Sequence, residues 1–144
     1  MVVFQDLPST STPINATNLN NNFTECNNIV ASGANTNGYY VKYSDGTMIC
    51  NKTKTGTADI ATAWGSLYTS AGINLGDFAM PFVVKPTIVV NPQNQSGTQF
   101  FMTGQSGGGF GSATNAGEVC LVRPNSRTNV AYVLDVVAVG RWKN

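Results

Sequence analysis

The clearest pattern of apolar and polar positions lies between Asn37 and Cys50, which read NGYYVKYSDGTMIC. Apolar and polar side chains alternate up to Ser44, and the dipeptide Asp45-Gly46 follows, as is typical of a two-residue type I′ turn. This pattern predicts a β-hairpin in which Ser44 pairs with Thr47. In that register Tyr43 faces Met48 and Val41 faces Cys50 on one apolar side, and Lys42 points to the other side.

After the hairpin, short apolar segments alternate with turn residues. The pattern predicts strands at 78–84, 87–90, 98–103 and 119–122, and one strand or a pair of strands at 130–142. It predicts turns at 51–56, 91–94 and 123–126, and a long glycine-rich loop at 105–117. Residues 57–70 fit one strand, two strands or a draped loop, and these alternatives stay open.

Six to eight short strands separated by turns predict a mostly β fold, an antiparallel β-sandwich knob over residues 37–144. The apolar run from Val136 to Val139 predicts burial on both faces. In a domain of this size, such burial is natural at a contact between subunits.

The first twelve residues predict an extended arm. Pro8 and Pro13 flank a run of hydroxyl residues, which disfavours a helix before Pro13. Phe4 and Leu7 are apolar side chains with no interior of their own. We therefore expect Phe4, Leu7, Pro8 and Pro13 to dock on another protein; the alternative is a disordered tail.

From Pro13 to Gly33 the apolar positions recur at helical spacing, with steps of three and four residues. The positions are Ala16, Leu19, Phe23, Cys26 and Val30. Asparagine fills most of the remaining positions and is a poor helix former, so an isolated helix would be unstable. The pattern predicts a short coiled-coil-like helix over 13–33 that joins several copies; the alternative is one helix lying on the β domain. The spacing does not distinguish two copies from three.

Composition points to binding between uncharged surfaces. The chain has 144 residues, of which 42% are hydrophobic and 10% charged, and its formal net charge is +1. This is enough apolar material for one core, but about 25% charge is usual in soluble domains. The charge balance gives no basis for nucleic-acid binding, and the low charge favours coverage of part of the surface by other copies.

The three cysteines Cys26, Cys50 and Cys120 are far apart in the sequence and form no CxxC pair. We therefore expect buried free thiols and no zinc site or disulfide framework. The N-terminus lacks the pattern of a secretion signal, and no apolar run is long enough to span a bilayer, so membrane insertion is not expected.

The leader and three later stretches resemble fibre and appendage proteins of tailed bacteriophages. In the leader, the matching residues are Asp6, Pro8, Thr10, Thr12, Pro13, Ile14, Asn15, Ala16, Leu19 and Asn20. The hairpin NGYYVKYSDGTMIC, the segment FAMPFVVKPTIVV and the ending VAVGRWKN are similar to the C-terminal tip domains of such fibres.

This resemblance implies a homotrimeric fibre on the virion surface. The arm would dock on another virion structural protein, the helix would form a short stem, and the knob would contact the host. The near absence of a shaft departs from the long fibres of that family.

The residues that usually carry catalysis are scarce. The sequence contains no histidine, and the acids Asp6, Glu25, Asp45, Asp59, Asp77, Glu118 and Asp135 are scattered. The run Gly107 to Gly111 lacks the lysine and hydroxyl residue of a phosphate-binding loop. We expect no enzyme activity, no cofactor and no metal.

Binding of a host saccharide or surface protein is the favoured function, because aromatic rings stack on sugars and amides bind their hydroxyl groups. The candidate ligand residues are Trp64, Tyr68, Gln105, Phe110 and Asn115. For Trp64, core packing is an equal alternative, and Trp142 is expected in the core or at a trimer contact. The alternative function is structural decoration of the capsid or tail, without a dedicated receptor.

Overall fold

The fold of the described residues is mostly β. The computed structural model describes residues 28–93, 101–104 and 111–144, with side chains described outside 101–104 only. Over these ranges it contains strands and turns and no helix. The strands are β1 (Ile29–Asn35), β2 (Gly38–Tyr43), β3 (Thr47–Trp64), β4 (Leu67–Ser70), β5 (Ile73–Asn74), β6 (Thr87–Gln93), β7 (Phe101–Gly104), β8 (Glu118–Arg123) and β9 (Arg127–Arg141).

All strand pairs are antiparallel, which confirms the predicted mostly β, antiparallel class. The strands belong to one hydrogen-bonded sheet. One half of the sheet has the order β1-β2-β3-β9-β6. The other half consists of β4, β8, β5 and β7. The 18-residue strand β3 links them, because its first part pairs with β2 and β9 and its last residues pair with β4.

One core is shared by both halves. It includes fully buried side chains of β3 and β9, such as Met48 and Leu134. Leu121 of β8 and Ile73 of β5 contribute to the same cluster from the other half. Strand β8 is buried from Val119 to Val122, on both of its faces.

The inner face of the first half is covered by an irregular segment, residues 75–86. Phe78 and Phe82 from this segment are buried and meet edge to face, with ring centroids 5.1 Å apart. The strand predicted at 78–84 is wrong. The backbone there forms no ladder: Phe78 N donates to Thr114 O and Val83 N donates to Arg141 O, so successive bonds go to different parts of the chain.

The predicted hairpin is present as β2 and β3, but its register differs by one residue from the prediction. Lys42 pairs with Met48 and Tyr40 with Cys50. The loop has three residues: Gly46 N donates to Tyr43 O, and Gly46 then takes φ of +92°. This is the type I turn with a glycine bulge that also suits an Asp-Gly sequence.

The one-residue difference exchanges the two faces of β2. Tyr40 and Lys42 share the face of buried Met48 and Cys50, and Tyr40 packs against the core. Val41, which was expected to face Cys50, lies on the outer face opposite Ile49.

The predicted helix over 13–33 is wrong at its C-terminal end. Residues 29–33 belong to strand β1, and Val30 is 51% exposed. The exposed edge of β2 provides a ladder for these residues, and a turn at Thr36-Asn37 closes the β1–β2 hairpin. Asn35 Oδ1 accepts a hydrogen bond from Asn37 N across this turn. The predicted arm and the seam positions Ala16, Leu19, Phe23 and Cys26 lie outside the described residues.

The turn predicted at 51–56 is also wrong, because these residues form the middle of β3. They pair with β9 without interruption from Asn51 to Gly56. Residues 57–70, left open by the sequence, are the end of β3 and the whole of β4.

The strands predicted at 87–90, 119–122 and 130–142 are confirmed as β6, β8 and β9. The turn predicted at 123–126 is confirmed for residues 124–126. The turn predicted at 91–94 is wrong for residues 91–93, which continue β6. Strand β7 covers Phe101–Gly104, within and just beyond the predicted 98–103.

Candidate functional site

Trp64 and Tyr68 lie in the hairpin formed by β3 and β4. Trp64 pairs with Leu67 across a two-residue turn, and Gly65 has φ of +60°, as the first position of a type II′ turn requires. Trp64 is 56% exposed, which excludes the core alternative for this side chain. Tyr68 pairs with Ala63 and packs against the core, so it points to the opposite face from Trp64.

The side chain of Asn115 holds two loops together. Its amide nitrogen donates to Asp77 Oδ1 at 2.9 Å, and its amide oxygen accepts a bond from Gly117 N at 2.7 Å. Asp77 and Asn115 also form an isolated β-bridge. Asn115 therefore has a structural role that uses both ends of its amide group.

The predicted ligand residues do not form one cluster where they are described. Asp77 O, close to Asn115, accepts a bond from Lys52 Nζ in the middle of β3, whereas Trp64 ends β3. Twelve residues of strand correspond to up to about 40 Å. Gln105 and Phe110 lie outside the described residues.

A polar groove was not predicted from the sequence. It has a volume of about 500 Å³ and lies between the middle of β3 and the segment Ala71–Asn74. Lys54, Asp59, Asn74 and Tyr132 supply its functional groups. This volume falls in the range of about 300–1,000 Å³ that is usual for small-molecule sites.

Tyr132, which lines the groove, lies directly against Gly56, its pairing partner in β3. A Cβ atom at Gly56 would lie 2.6 Å from the Tyr132 hydroxyl, so a larger residue would displace this ring. Tyr132 is 7% exposed, and its burial raises the pKa of the phenol. The hydroxyl therefore stays protonated near neutral pH and can donate a hydrogen bond.

Two lysines on the same side of β3 have different surroundings. Lys52 Nζ donates to Asp77 O at 2.7 Å, and desolvation lowers the pKa of Lys52, with nearby Lys54 adding to the effect. Lys54 Nζ has no hydrogen-bond partner within the described parts of the chain. Lys54 is thus a cation at the groove that no side chain or carbonyl group of the described residues binds.

The outer face of the first half of the sheet is apolar, and we name it the outer patch. Across the strands, Val41, Ile49 and Val139 form one row, and Tyr39, Val137 and Val89 lie in the next. The complete patch consists of Ile29, Tyr39, Val41, Tyr43, Ile49, Val89, Val137 and Val139.

Five of these eight side chains are clearly exposed, with Val89 at 60% and Val139 at 43%. The remaining positions of the two rows, Ser32, Ala34, Asn51 and Thr87, are uncharged as well. The apolar run from Val136 to Val139 predicts burial on both faces, and the structure shows burial on one face only. Val136 and Ala138 are buried, but Val137 and Val139 are not covered by any described residue of the same chain.

Trp142 lies at the end of β9, where it packs against the core and is half-buried. Its indole nitrogen donates to Tyr43 O at 2.9 Å. The ammonium groups of Lys42 and Lys143 each lie 5.1 Å from the centre of the ring. These contacts agree with the predicted core position and hold the chain end on the β2–β3 hairpin.

Cys50 and Cys120 are buried free thiols, as predicted, whereas Cys26 lies outside the described residues. Desolvation raises the pKa of the Cys50 thiol. Among the described side chains, no three potential ligands are grouped around a possible metal position. The described ranges also contain no helix with the length and apolar character needed to cross a membrane.

Comparison with known proteins adds no relative. No protein-family model matches the chain, and neither does any curated protein or any solved structure. The class that the geometry defines is therefore a mostly β, antiparallel domain with an exposed apolar sheet face and a polar groove.

Proposed function

We propose that this chain is a self-associating attachment protein, a short virion fibre of the bacteriophage kind. In this proposal three copies associate, and the N-terminal arm docks on another virion structural protein. The β domain acts as a sandwich-like knob that contacts a saccharide or protein of the host surface. Nucleic acid, membrane insertion, cofactors and catalysis have no part in it.

The exposure of the outer patch is the observation that carries the proposal. Isolated apolar residues on a surface are ordinary, but a contiguous apolar face usually marks an interaction site. The patch crosses five strands, and its two main rows contain no charged residue. Full burial of a valine contributes roughly 1.5–3 kcal/mol, so covering several of them favours association.

A second copy of the chain is the proposed partner of the outer patch. The fibre-like motifs of the leader and the helical spacing within 13–27 favour multiple copies from a different part of the sequence. With an overall charge of +1, electrostatic repulsion between copies is weak. Three copies are proposed because the fibres that the chain resembles are trimers.

Structural decoration of the particle is the second candidate function. The separation of Trp64 from Asn115 favours it, because these two predicted ligand residues do not share a surface site. Decoration would use the outer patch for assembly and would need no receptor.

Binding of the tagged full-length chain to a panel of bacteria tests attachment. We expect saturable labelling of susceptible cells at submicromolar concentration, since several weak sites on one assembly act together. The variant Val137→Lys/Val139→Lys should label at least about tenfold less, because single copies lose this multivalency. Ala131→Lys lies on the same face of β9 beyond the outer patch and is the matched control.

Alanine at Trp64 would show whether the exposed hairpin takes part in labelling. Absence of labelling of every strain at micromolar concentration would reject attachment and favour decoration. Equal labelling by the wild type and the Val137→Lys/Val139→Lys variant would reject multivalent attachment through the outer patch.

A further inference from the structure

The polar groove has the composition of a ligand site with a preference for acidic groups. Three of its hydrogen-bonding groups are donors without a partner among the described residues: the Lys54 ammonium, the Tyr132 hydroxyl and the amide nitrogen of Asn74. The amide oxygen of Asn74 is already engaged, because it accepts a bond from Gly76 N at 2.7 Å. This engagement leaves the nitrogen end of the amide available to a ligand.

The acidic side chain at the groove is oriented by another bond. Asp59 Oδ1 accepts a hydrogen bond from Asn129 N at 2.7 Å, and Asn129 has φ of +53°. Asp59 therefore stabilises the irregular backbone at Asn129 inside β9, where the pairing with β3 shifts register, and it forms no hydrogen bond with Lys54 among the described contacts. Its second oxygen remains an acceptor for a ligand hydroxyl group.

The Lys54 end of the groove favours an anion, whereas Asp59 lines another part of the same groove. Lys52, two residues from Lys54 on the same side of β3, already donates to a carbonyl oxygen, so Lys54 is the cation left for a ligand. A charged hydrogen bond of a lysine to a carboxylate is stronger than one between neutral groups. Tyr132 is buried and Lys54 is half-buried, so part of the solvent that would screen this bond is excluded.

The size and the remaining groups of the groove suit a sugar. Its walls at Ala71 and Gly72 are small, and it is open enough to admit a ring. Thr57 and Asp59 provide acceptors for hydroxyl groups beside the donor cluster. A sugar that carries a carboxylate matches both parts of this arrangement.

We propose that the groove between β3 and Ala71–Asn74 binds a carboxylated saccharide unit of the uronic acid type. The carboxylate accepts hydrogen bonds from Lys54 Nζ and the Tyr132 hydroxyl, and ring hydroxyl groups bond to Asn74 and Asp59. This inference rests on the proposed attachment function, for which it names the class of ligand.

Calorimetric titration of the full-length protein with two tetrasaccharides tests this assignment. The probe is a tetrasaccharide of alternating glucuronic acid and N-acetylglucosamine, and its methyl ester is the neutral counterpart. We expect the acid to bind at least tenfold more tightly than the ester at low salt, and the difference should shrink as salt is raised. Inorganic phosphate as a separate titrant shows whether any small anion is sufficient.

Two variants locate the binding. Lys54→Gln should lower the affinity for the acid at least tenfold and leave the affinity for the ester unchanged. Tyr132→Phe keeps the ring on Gly56 and removes only the hydroxyl, so we expect a loss of about threefold to tenfold. Lys143→Gln removes a cation at Trp142, outside the groove, and should bind like the wild type. Thermal unfolding of each variant confirms that it is folded.

Four results would overturn the proposal. They are equal binding of acid and ester, no binding of either, phosphate binding as tight as that of the acid, and unchanged binding of the acid by Lys54→Gln. Cell labelling distinguishes this failure from failure of the attachment function. If wild type and Lys54→Gln label cells equally and the acid does not bind, the groove proposal fails and attachment stands. If the acid binds through Lys54 but no cells are labelled, attachment fails and the groove assignment stands.

Discussion

The two faces of the sheet formed by β2, β3 and β9 carry similar side chains but have different surroundings. Val136 is 2% exposed and its neighbour Val137 is 39% exposed, although both are valines in the same strand. The difference is the cover: residues 75–86 pack on the inner face, and no described segment packs on the outer face. A strand with apolar side chains on both faces is therefore buried on both faces only if another segment or another chain covers each face.

Replacement of each valine by alanine gives the sharpest test of this comparison. Val136→Ala should lower the free energy of unfolding by about 2–3 kcal/mol, since it removes buried methyl groups and leaves a cavity. Val137→Ala should cost less than about 1 kcal/mol in dilute protein, where the outer face is in water. Urea denaturation at low protein concentration measures both. Equal losses would mean that the outer face is already covered within one chain.

The β1–β2 hairpin positions Tyr39 at the edge of the outer patch, and it depends on Gly38. Gly38 has φ of +116°, and a Cβ atom there would lie 2.2 Å from the backbone oxygen of Asn51 in β3. Gly38→Ala should cost about 2 kcal/mol, through the strained backbone and the displacement of β3.

Gly65→Ala is the matched control for this substitution. Gly65 also has positive φ, of +60°, but a Cβ atom there meets nothing within 4 Å. Gly65→Ala should lower the free energy of unfolding by only about 1 kcal/mol, because it strains the backbone without a steric clash. If Gly65→Ala were as destabilising as Gly38→Ala in thermal unfolding, close packing of the hairpin on β3 would not be the cause.

The β2–β3 turn at Asp45-Gly46 sets which residues of β2 face outward. Its contribution to the stability of the fold should decrease slightly in acid. Thr47 N donates to Asp45 Oδ1 at 2.7 Å, and the Thr47 hydroxyl donates to Asp45 Oδ2. Both bonds lower the pKa of Asp45 below its ordinary value of 3.8, and the bond from the Thr47 backbone has the larger effect. A carboxyl group with a lowered pKa stabilises the fold above its unfolded-state pKa, and this contribution is lost as pH falls through the lowered value.

Asp45→Asn retains one acceptor oxygen and removes the charge. We expect the wild type to be slightly more stable than this variant at pH 6, and the difference to disappear on acidification below pH 3.8. Chemical denaturation at several pH values measures the difference. A difference that grows toward low pH would contradict the assigned role of the ionised carboxylate.

Much of the fold could be predicted from local pattern. The hairpin at Asp45-Gly46 and the β-branched strands β6, β8 and β9 were recognised because alternation and turn residues agreed. The register could not be obtained, because the same Asp-Gly pair suits a two-residue and a three-residue loop. The middle of β3 was missed since its threonines and lysines lack an apolar alternation, and only pairing with β9 reveals it.

The apolar pattern of Phe78 to Val84 predicts a strand that is not there, because buried irregular segments and buried strands have the same apolar sequences. Pro81 interrupts the run, and the two buried phenylalanines cover the core from an irregular segment. Strand β1 was missed although Asn37-Gly38 is a turn signal, because the helical spacing continued into Val30.

The candidate sites could be predicted from the sequence less well than the fold. Lys54, Asn74 and Tyr132 are far apart in the chain, and only the pairing of β3 with β9 and the return of the chain after β4 bring them to one groove. The sequence leaves Trp64 open between the surface and the core. Its exposure and its distance from Asn115 both depend on the long strand β3 and its hairpin with β4. The outer patch required the correct register, since a shift of one residue exchanges its valines with the core.

Light scattering of the full-length protein over a range of concentrations tests the assignment of the outer patch most directly. We expect the wild type and Ala131→Lys to have three times the mass of the 15.2 kDa chain. We expect a shift toward the single-chain mass for Val137→Lys/Val139→Lys, which places charges in the outer patch. A wild type that remains at the single-chain mass, or a charged variant with the mass of the wild type, would contradict this assignment.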